Sequence, residues 1–195
     1  MVWLLVVVIA VVVLVVGAVI GMYNSLVRAR HNYENAYAQI DVQLARRHDL
    51  IPNLVETAKA YMRHEQNTLV AVTNARAAAI QARQGAAPGN APAMAALAGA
   101  ENALTGSIGQ FFAVSENYPE LHSSSQYAQL RQDLIRTEEK ITASRRFYNL
   151  CVEELNGVKR AFPGNIVGRN SGEPREKFSL GERRADFAEP VSISL

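Results

Sequence analysis

The sequence predicts an all-α protein, with one N-terminal transmembrane helix ahead of a body of long amphipathic helices. Three observations carry that prediction. An unbroken apolar run, "VWLLVVVIAVVVLVVGAVIGM", fills Val2 to Met22, and the first charged side chain after it is Arg28. Beyond it, apolar residues recur at steps of three and four, the period of a one-sided helix. From Gly164 onward, glycines and prolines are scattered among charges instead. The 195 residues therefore divide into a transmembrane helix at 1–23, a helical body at 24–163 and an extended, irregular tail at 164–195 that ends in a short strand.

A helix rises ~1.5 Å per residue, so the apolar run matches the ~30 Å hydrocarbon core of a bilayer. Trp3 and Tyr23 stand at its two ends, where amphipathic rings favour the membrane interface. Gly17 and Gly21 form a small-xxx-small pair on which two spans can approach closely. A cleaved signal peptide would show a basic residue ahead of a shorter run and a small-residue cleavage site after it, so the segment reads as a retained signal-anchor. Arg28, Arg30, Arg46 and Arg47 all follow the span, which places the body on the cytoplasmic side. Cys151 is the sole cysteine, so no intramolecular disulfide forms; it reads as a small buried apolar residue.

After the span come about 170 residues, enough for one domain with a real core. A first helix carries Leu26, Ala29, Tyr33, Ala36, Tyr37, Ile40 and Leu44. A second is expected to start at Asp49 as N-cap, with Pro52 in its first turn, and to run through Leu54, Ala58, Met62, Leu69, Val72 and Ile80. Ala75, Ala77, Ala78 and Ala79 give it a face for tight packing. Leu44, Ile51, Leu54 and Ala58 keep nearly one phase across the proline, so a single kinked helix is the other option there. "QGAAPGNAPA", Gln84 to Ala93, is a flexible connection. The third helix carries Leu97, Leu104, Ile108, Phe111 and Phe112 and stops before Pro119. The fourth opens at "SSSQ", where Ser123 and Gln126 have capping-box spacing, and continues from Tyr127 to Phe162, about 57 Å. In the final "PVSISL", Val191, Ile193 and Leu195 alternate with serines as in a half-buried strand. A lone strand lacks a ladder, so it is expected to pair with a neighbouring subunit.

Several function classes find no support. A formal net charge of +2, without clustered arginine, lysine and aromatic residues, argues against nucleic acid and against a polybasic lipid patch beyond the first juxtamembrane arginines. "HEQNT", His64 to Thr68, falls one residue short of the H-E-x-x-H zinc motif, because Thr68 stands where the second histidine should be. No glutamate is followed three residues later by histidine, as a di-iron bundle requires. "GSIG" at Gly106 lies in a helical pattern and lacks the nucleophile-elbow context, and no Walker or G-x-G-x-x-G loop occurs. The reading is of a non-enzyme with no catalytic, metal or cofactor residues. His31, His48, His64 and His122 read as surface or capping residues. The charges of "RRHDLIPNLVETAKAYMRHEQNT" read as a helix-to-helix junction, with cations near one helix C-terminus and carboxylates near the next N-terminus. They leave one candidate interaction surface: Arg46 or Arg47 pairing with Glu138 or Glu139 of the fourth helix, or with another subunit.

Four blocks carry a resemblance: "YNSLVRARHNYENAYAQIDVQLARRHDLIPNLVETAKAYMRHE", "FFAVSENYPEL", "LRQDLIRTEEKITASRRFYNLCVEELNGVKRAFPGNIV" and "FAEPVSISL". In this order they resemble the LemA family of bacterial membrane proteins, over nearly the whole soluble region. The resemblance implies a short N-terminal tail, one span and a cytoplasmic, coiled-coil-like bundle of four long antiparallel helices at the bacterial inner membrane. It implies no reaction. The expected function is a membrane-anchored, non-enzymatic scaffold that self-assembles into homo-oligomers. The alternative is an adaptor that presents clients to a membrane protease or an envelope-stress signalling partner. The expected partners are membrane lipid, further copies of the chain, and another membrane protein in the adaptor case.

Overall fold

The computed structural model of the chain describes residues 1–162, 164–167, 175, 177 and 178. Helix α1 spans Val2–Lys59, 58 residues and about 87 Å at ~1.5 Å per residue. Its first part packs against nothing: the large apolar side chains from Val2 to Ile20 are exposed, and the stretch is long and apolar enough to cross a membrane. From Leu26 the same helix gains a buried face, stepping by three and four through Ala29, Tyr33, Ala36, Ile40 and Leu44 to Ile51, Leu54 and Ala58.

The expected helix start at Asp49 is not observed, because α1 continues through Pro52. Proline lacks an N–H, so the carbonyl four residues earlier, that of His48, has no intrahelical partner. Arg76 supplies one, donating from Nε to that carbonyl at 2.6 Å. With the orphan satisfied and the apolar phase unbroken, continuing the helix is favoured over breaking it. The chain turns instead over Ala60 to Glu65, where the Met62 amide donates to the Ala58 carbonyl at 2.8 Å and Met62 is fully buried.

Helix α2 is Gln66–Gly85 and α3 is Ala91–Ser115, so the connection narrows to Ala86 to Asn90. The Asn90 side chain accepts from the Ala93 amide at 3.2 Å and caps α3. In α2, Ala79 is buried and Ala75 packs beside the core, whereas Ala77 and Ala78 face outward. A short α4, Pro119–His122, leads to α5, Ser125–Arg160. Ser124, not Ser123, caps α5 by accepting from the Tyr127 amide, while the Ser123 hydroxyl donates to the Pro119 carbonyl. Part of the expected irregular tail is ordered. Gly164–Val167 forms a helical turn, α6, against α1 and α5, and Phe178 returns to the core. The terminal strand Val191, Ile193 and Leu195 lies outside the described residues, and there is no strand among the described ones.

Helices α1 and α5 pack along each other, as do α2 and α3, and α1 also touches α2. Two apolar clusters result. The one nearer the apolar segment joins Leu26, Tyr33 and Leu44 of α1 to Leu97 of α3 and to Ile141, Tyr148 and Leu155 of α5. The far one joins Ile51 and Leu54 to Val72 of α2, Leu104 and Phe111 of α3, and Tyr127 and Leu134 of α5. Because Leu26 and Leu155 share one cluster and Leu54 and Tyr127 the other, α1 and α5 run in opposite directions. Each fully buried leucine or isoleucine stabilises the body by about 1.5–3 kcal/mol.

Candidate functional site: a buried charge layer

Polar side chains interrupt the apolar stripes of three helices where the two clusters meet. On α1, Arg47 and His48 fall between Leu44 and Ile51; on α3, Glu101 falls between Leu97 and Leu104; on α5, Thr137 and Glu138 fall between Leu134 and Ile141. Arg47, His48, Glu101 and Thr137 keep the phase of the buried face, so helix geometry turns them inward, whereas Glu138 sits at its edge with its side chain 40% exposed. Arg47 is 1% exposed, His48 2% and Glu101 0%.

Arg47 is the hub. One guanidinium nitrogen donates to Thr105 Oγ1 at 2.9 Å and to Glu138 Oε2 at 2.5 Å, and the other pairs with Glu101 Oε2. His48 Nε2 lies 3.0 Å from Glu101 Oε1, so both oxygens of that carboxylate are engaged. Arg145 of α5 is also buried, its guanidinium 4.6 Å from the centre of the Phe178 ring. Away from the layer, Arg83 of α2 grips both carboxylate oxygens of Asp41 of α1, at 2.6 and 3.0 Å.

Opposing influences set the ionisation of the layer. Burial raises the Glu101 pKa, but the His48 hydrogen bond and the Arg47 charge outweigh it and hold the carboxyl below its ordinary range. Arg145 is lowered, first by burial and then by the Arg47 charge. A carboxylate engaged on both oxygens is not free to move a proton to a ligand. Among the described residues, no three His, Cys, Asp or Glu side chains converge as a metal ion requires. What the layer can do is fix axial register: sliding α3 or α5 along α1 would strand Arg47 or Glu101 in an apolar interior.

The residues singled out from sequence separate. The buried Arg47 meets the partly exposed Glu138 at the edge of the core, whereas Arg46 and Glu139 are exposed on the outside of the body. His48 is buried, contrary to the surface or capping role expected of it, and the charges from Arg46 to Asp49 are mid-helix rather than at a junction. Gly17 and Gly21 have nothing within 4 Å of where a Cβ would stand, and Trp3 and Tyr23 are exposed. Sequence reasoning missed Glu101, Arg145 and Arg76. Glu101 had a signal: it stands four residues after Leu97 and three before Leu104, a charge in a core position.

A family model described as LemA family matches residues 36–194, from the middle of α1 onward. The magnetosome protein MamQ 2 of Paramagnetospirillum magneticum is 22% identical over 180 residues, covering 84% of this chain and 66% of the relative. The magnetosome protein MamQ of Magnetospirillum gryphiswaldense is 21% identical over 173 residues, covering 80% of this chain and 64% of the relative. The chain thus spans a little under two thirds of the length of the curated relatives it matches. With the family model covering most of the chain, including the whole charge layer, the chain belongs to the LemA family.

Proposed function

We propose that the chain is a membrane-anchored, non-enzymatic scaffold. In this reading it is an antiparallel bundle of four long helices, tethered at the bacterial inner membrane by the first part of α1, with its body in the cytoplasm. It assembles into homo-oligomers through the outer face of α1 and α5. The composition of that face carries the reading. Ile135, Glu139, Ala143 and Phe147 follow one another at steps of four along α5, with Leu150 next; Phe147 is 45% and Leu150 62% exposed. On α1, Val42 is 61% exposed and Arg46 lies one turn further on. Val42 and Ala143 line one shallow groove, and Ile135 and Ala143 the next, so apolar surface runs across both helices.

A face that carries an apolar ridge and both Arg46 and Glu139 is self-complementary. Two copies related by a two-fold axis can set Arg46 of each beside Glu139 of the other. Burial of Phe147 and Leu150 supplies most of the stabilisation, and the rim charges set orientation. The unbroken helix from apolar segment to body supports a scaffold role, because it holds this face at a fixed attitude to the bilayer. The relatives are named as magnetosome proteins, and those names state no reaction.

The test is the particle size of the detergent-extracted chain expressed alone. A homogeneous dimer that falls to monomer in the Phe147→Glu, Leu150→Glu double variant, with helical circular dichroism unchanged, is the expected result. A monomer that grows only when another protein is added sinks the scaffold and favours an adaptor for a membrane protease or signalling partner.

A further inference from the structure

Beyond α6 the chain meets α5 again at Arg175, Lys177 and Phe178, and one face of that helix receives all three. Asn156 accepts from the Arg175 amide at 2.9 Å and donates to the Arg175 carbonyl at 2.8 Å. Asn149 treats Phe178 in the same way, accepting from its amide at 2.8 Å and donating to its carbonyl at 3.4 Å. Between the two, Lys177 pairs with Glu153. Asn149, Glu153 and Asn156 recur at steps of four and three, so they share a face of α5. Each asparagine satisfies both backbone groups of one residue, as a neighbouring strand would.

The Arg175 guanidinium also donates to the Gly89 carbonyl at 3.3 Å, and Phe178 packs in the cluster that holds Met94 and Leu97 of α3. These residues therefore lie on the seam between α5 and the start of α3. From Asn156 to Asn149 is seven residues of helix, about 10 Å, which equals the reach of three extended residues. From Arg175 to Phe178 the chain thus advances antiparallel to α5, away from the apolar segment and toward the charge layer.

One turn past Asn149 on the same face stands Arg145. It is 6% exposed, its guanidinium lies 4.6 Å from the centre of the Phe178 ring, and its Nε finds no hydrogen-bond partner among the described residues. Glu101 and Glu138, the carboxylates whose charge acts on it, are both held by Arg47. A buried guanidinium is costly unless a carboxylate faces it. The first carboxylate after Phe178 in the sequence is Glu182. Four extended residues reach about 13 to 14 Å, and Arg145 is only about 6 Å beyond Asn149 along α5, with its side chain leaning further toward the helix N-terminus. Glu182 is within range.

We propose that the tail beyond Phe178 continues along this seam and that Glu182 pairs with Arg145, strapping α5 to α3 within one chain. The strap is independent of self-assembly, which uses the opposite side of α5 at Phe147 and Leu150. Hydrogen exchange of the full chain in detergent, read by mass spectrometry on the peptide from Ser179 to Glu182, tests it. Those amides are expected to exchange at least roughly ten-fold more slowly than in the unfolded chain. Glu182→Gln and Arg145→Gln should each remove that protection, as expected for the loss of one charge-assisted hydrogen bond, while the amides of α5 keep theirs. Asp186→Asn, at the next carboxylate, should change nothing, and its contrast with Glu182→Gln carries the test if Arg145→Gln fails to fold. Exchange at the unfolded rate in the parent chain, protection that survives Glu182→Gln, or equal loss in Asp186→Asn overturns the proposal. Co-expression of isotope-labelled Arg145→Gln with Glu182→Gln separates a contact within one chain from one between chains. No recovery of protection in the labelled chain is expected; recovery would show its tail seated on a neighbour's Arg145 and overturn the strap.

Discussion

Arg76 of α2 donates from Nε to the backbone carbonyl of His48 at 2.6 Å, the carbonyl that Pro52 leaves without an intrahelical partner. A side chain from a neighbouring helix thus completes the ladder of α1 next to the buried Arg47–Glu101 pair. The proline and the arginine function as a unit. The contact explains how a helix of 58 residues keeps a proline in its interior.

The unit can be tested as a double-mutant cycle. Arg76→Ala should destabilise the body by about 1–3 kcal/mol, the cost of an unsatisfied buried acceptor. Pro52→Ala restores an N–H to bond the His48 carbonyl, so in that background the same arginine substitution should cost less than half as much. Thermal unfolding of the detergent-solubilised chain measures both. Equal costs in the two backgrounds would show that the contact does not compensate for the proline.

Substitutions in the charge layer should differ according to burial. Glu101→Gln leaves Arg47 short of a fully buried partner and should cost about 3–5 kcal/mol. Glu138→Gln should cost about 1 kcal/mol or less, because that side chain is 40% exposed and solvent screens it. Similar losses from the two variants in chemical denaturation would contradict a central role for Glu101.

Acid should unfold the body partly through the same residue. Glu101 has a folded-state pKa below its ordinary 4.5, so between the two values the unfolded chain binds the extra proton. Its stabilising contribution is therefore full above pH 4.5 and is lost as pH falls through the folded-state value. The melting temperature of Glu101→Gln should start lower at neutral pH and decline less steeply in that acid range. Parallel pH profiles for the two proteins would rule this out.

Cys151 should be inert while the chain is folded. It is 3% exposed, and burial first, then the Glu154 charge, push its thiol pKa up. A thiol reagent at mildly alkaline pH is expected to label it only in step with unfolding, followed by mass spectrometry. Rapid labelling of the native protein would mean that the α1–α5 contact opens locally.

Topology offers a separate check. Arg28, Arg30, Arg46 and Arg47 follow the apolar segment, so alkaline phosphatase fused after Leu195 should be inactive and a fluorescent reporter there should be bright. Phosphatase activity from the fusion would place the body on the other side.

The spacing of apolar residues by itself determined that the chain is helical, where the apolar segment lies and which face of each helix is buried, since residues three and four apart share a face whatever surrounds them. It also carried the blocks that mark the family. It did not determine the helix boundary near Pro52, because the missing hydrogen bond was supplied by Arg76, 28 residues from His48. Only the tertiary structure decided which charges meet: Arg47 reaches Glu101 across 54 positions and Glu138 across 91. The same holds for Asn149 and Asn156, which hold Phe178 and Arg175 from 29 and 19 positions away. Polar clusters of this kind depend on the relative register of packed segments, and register is set by the fit of whole faces, which no local pattern in the sequence contains.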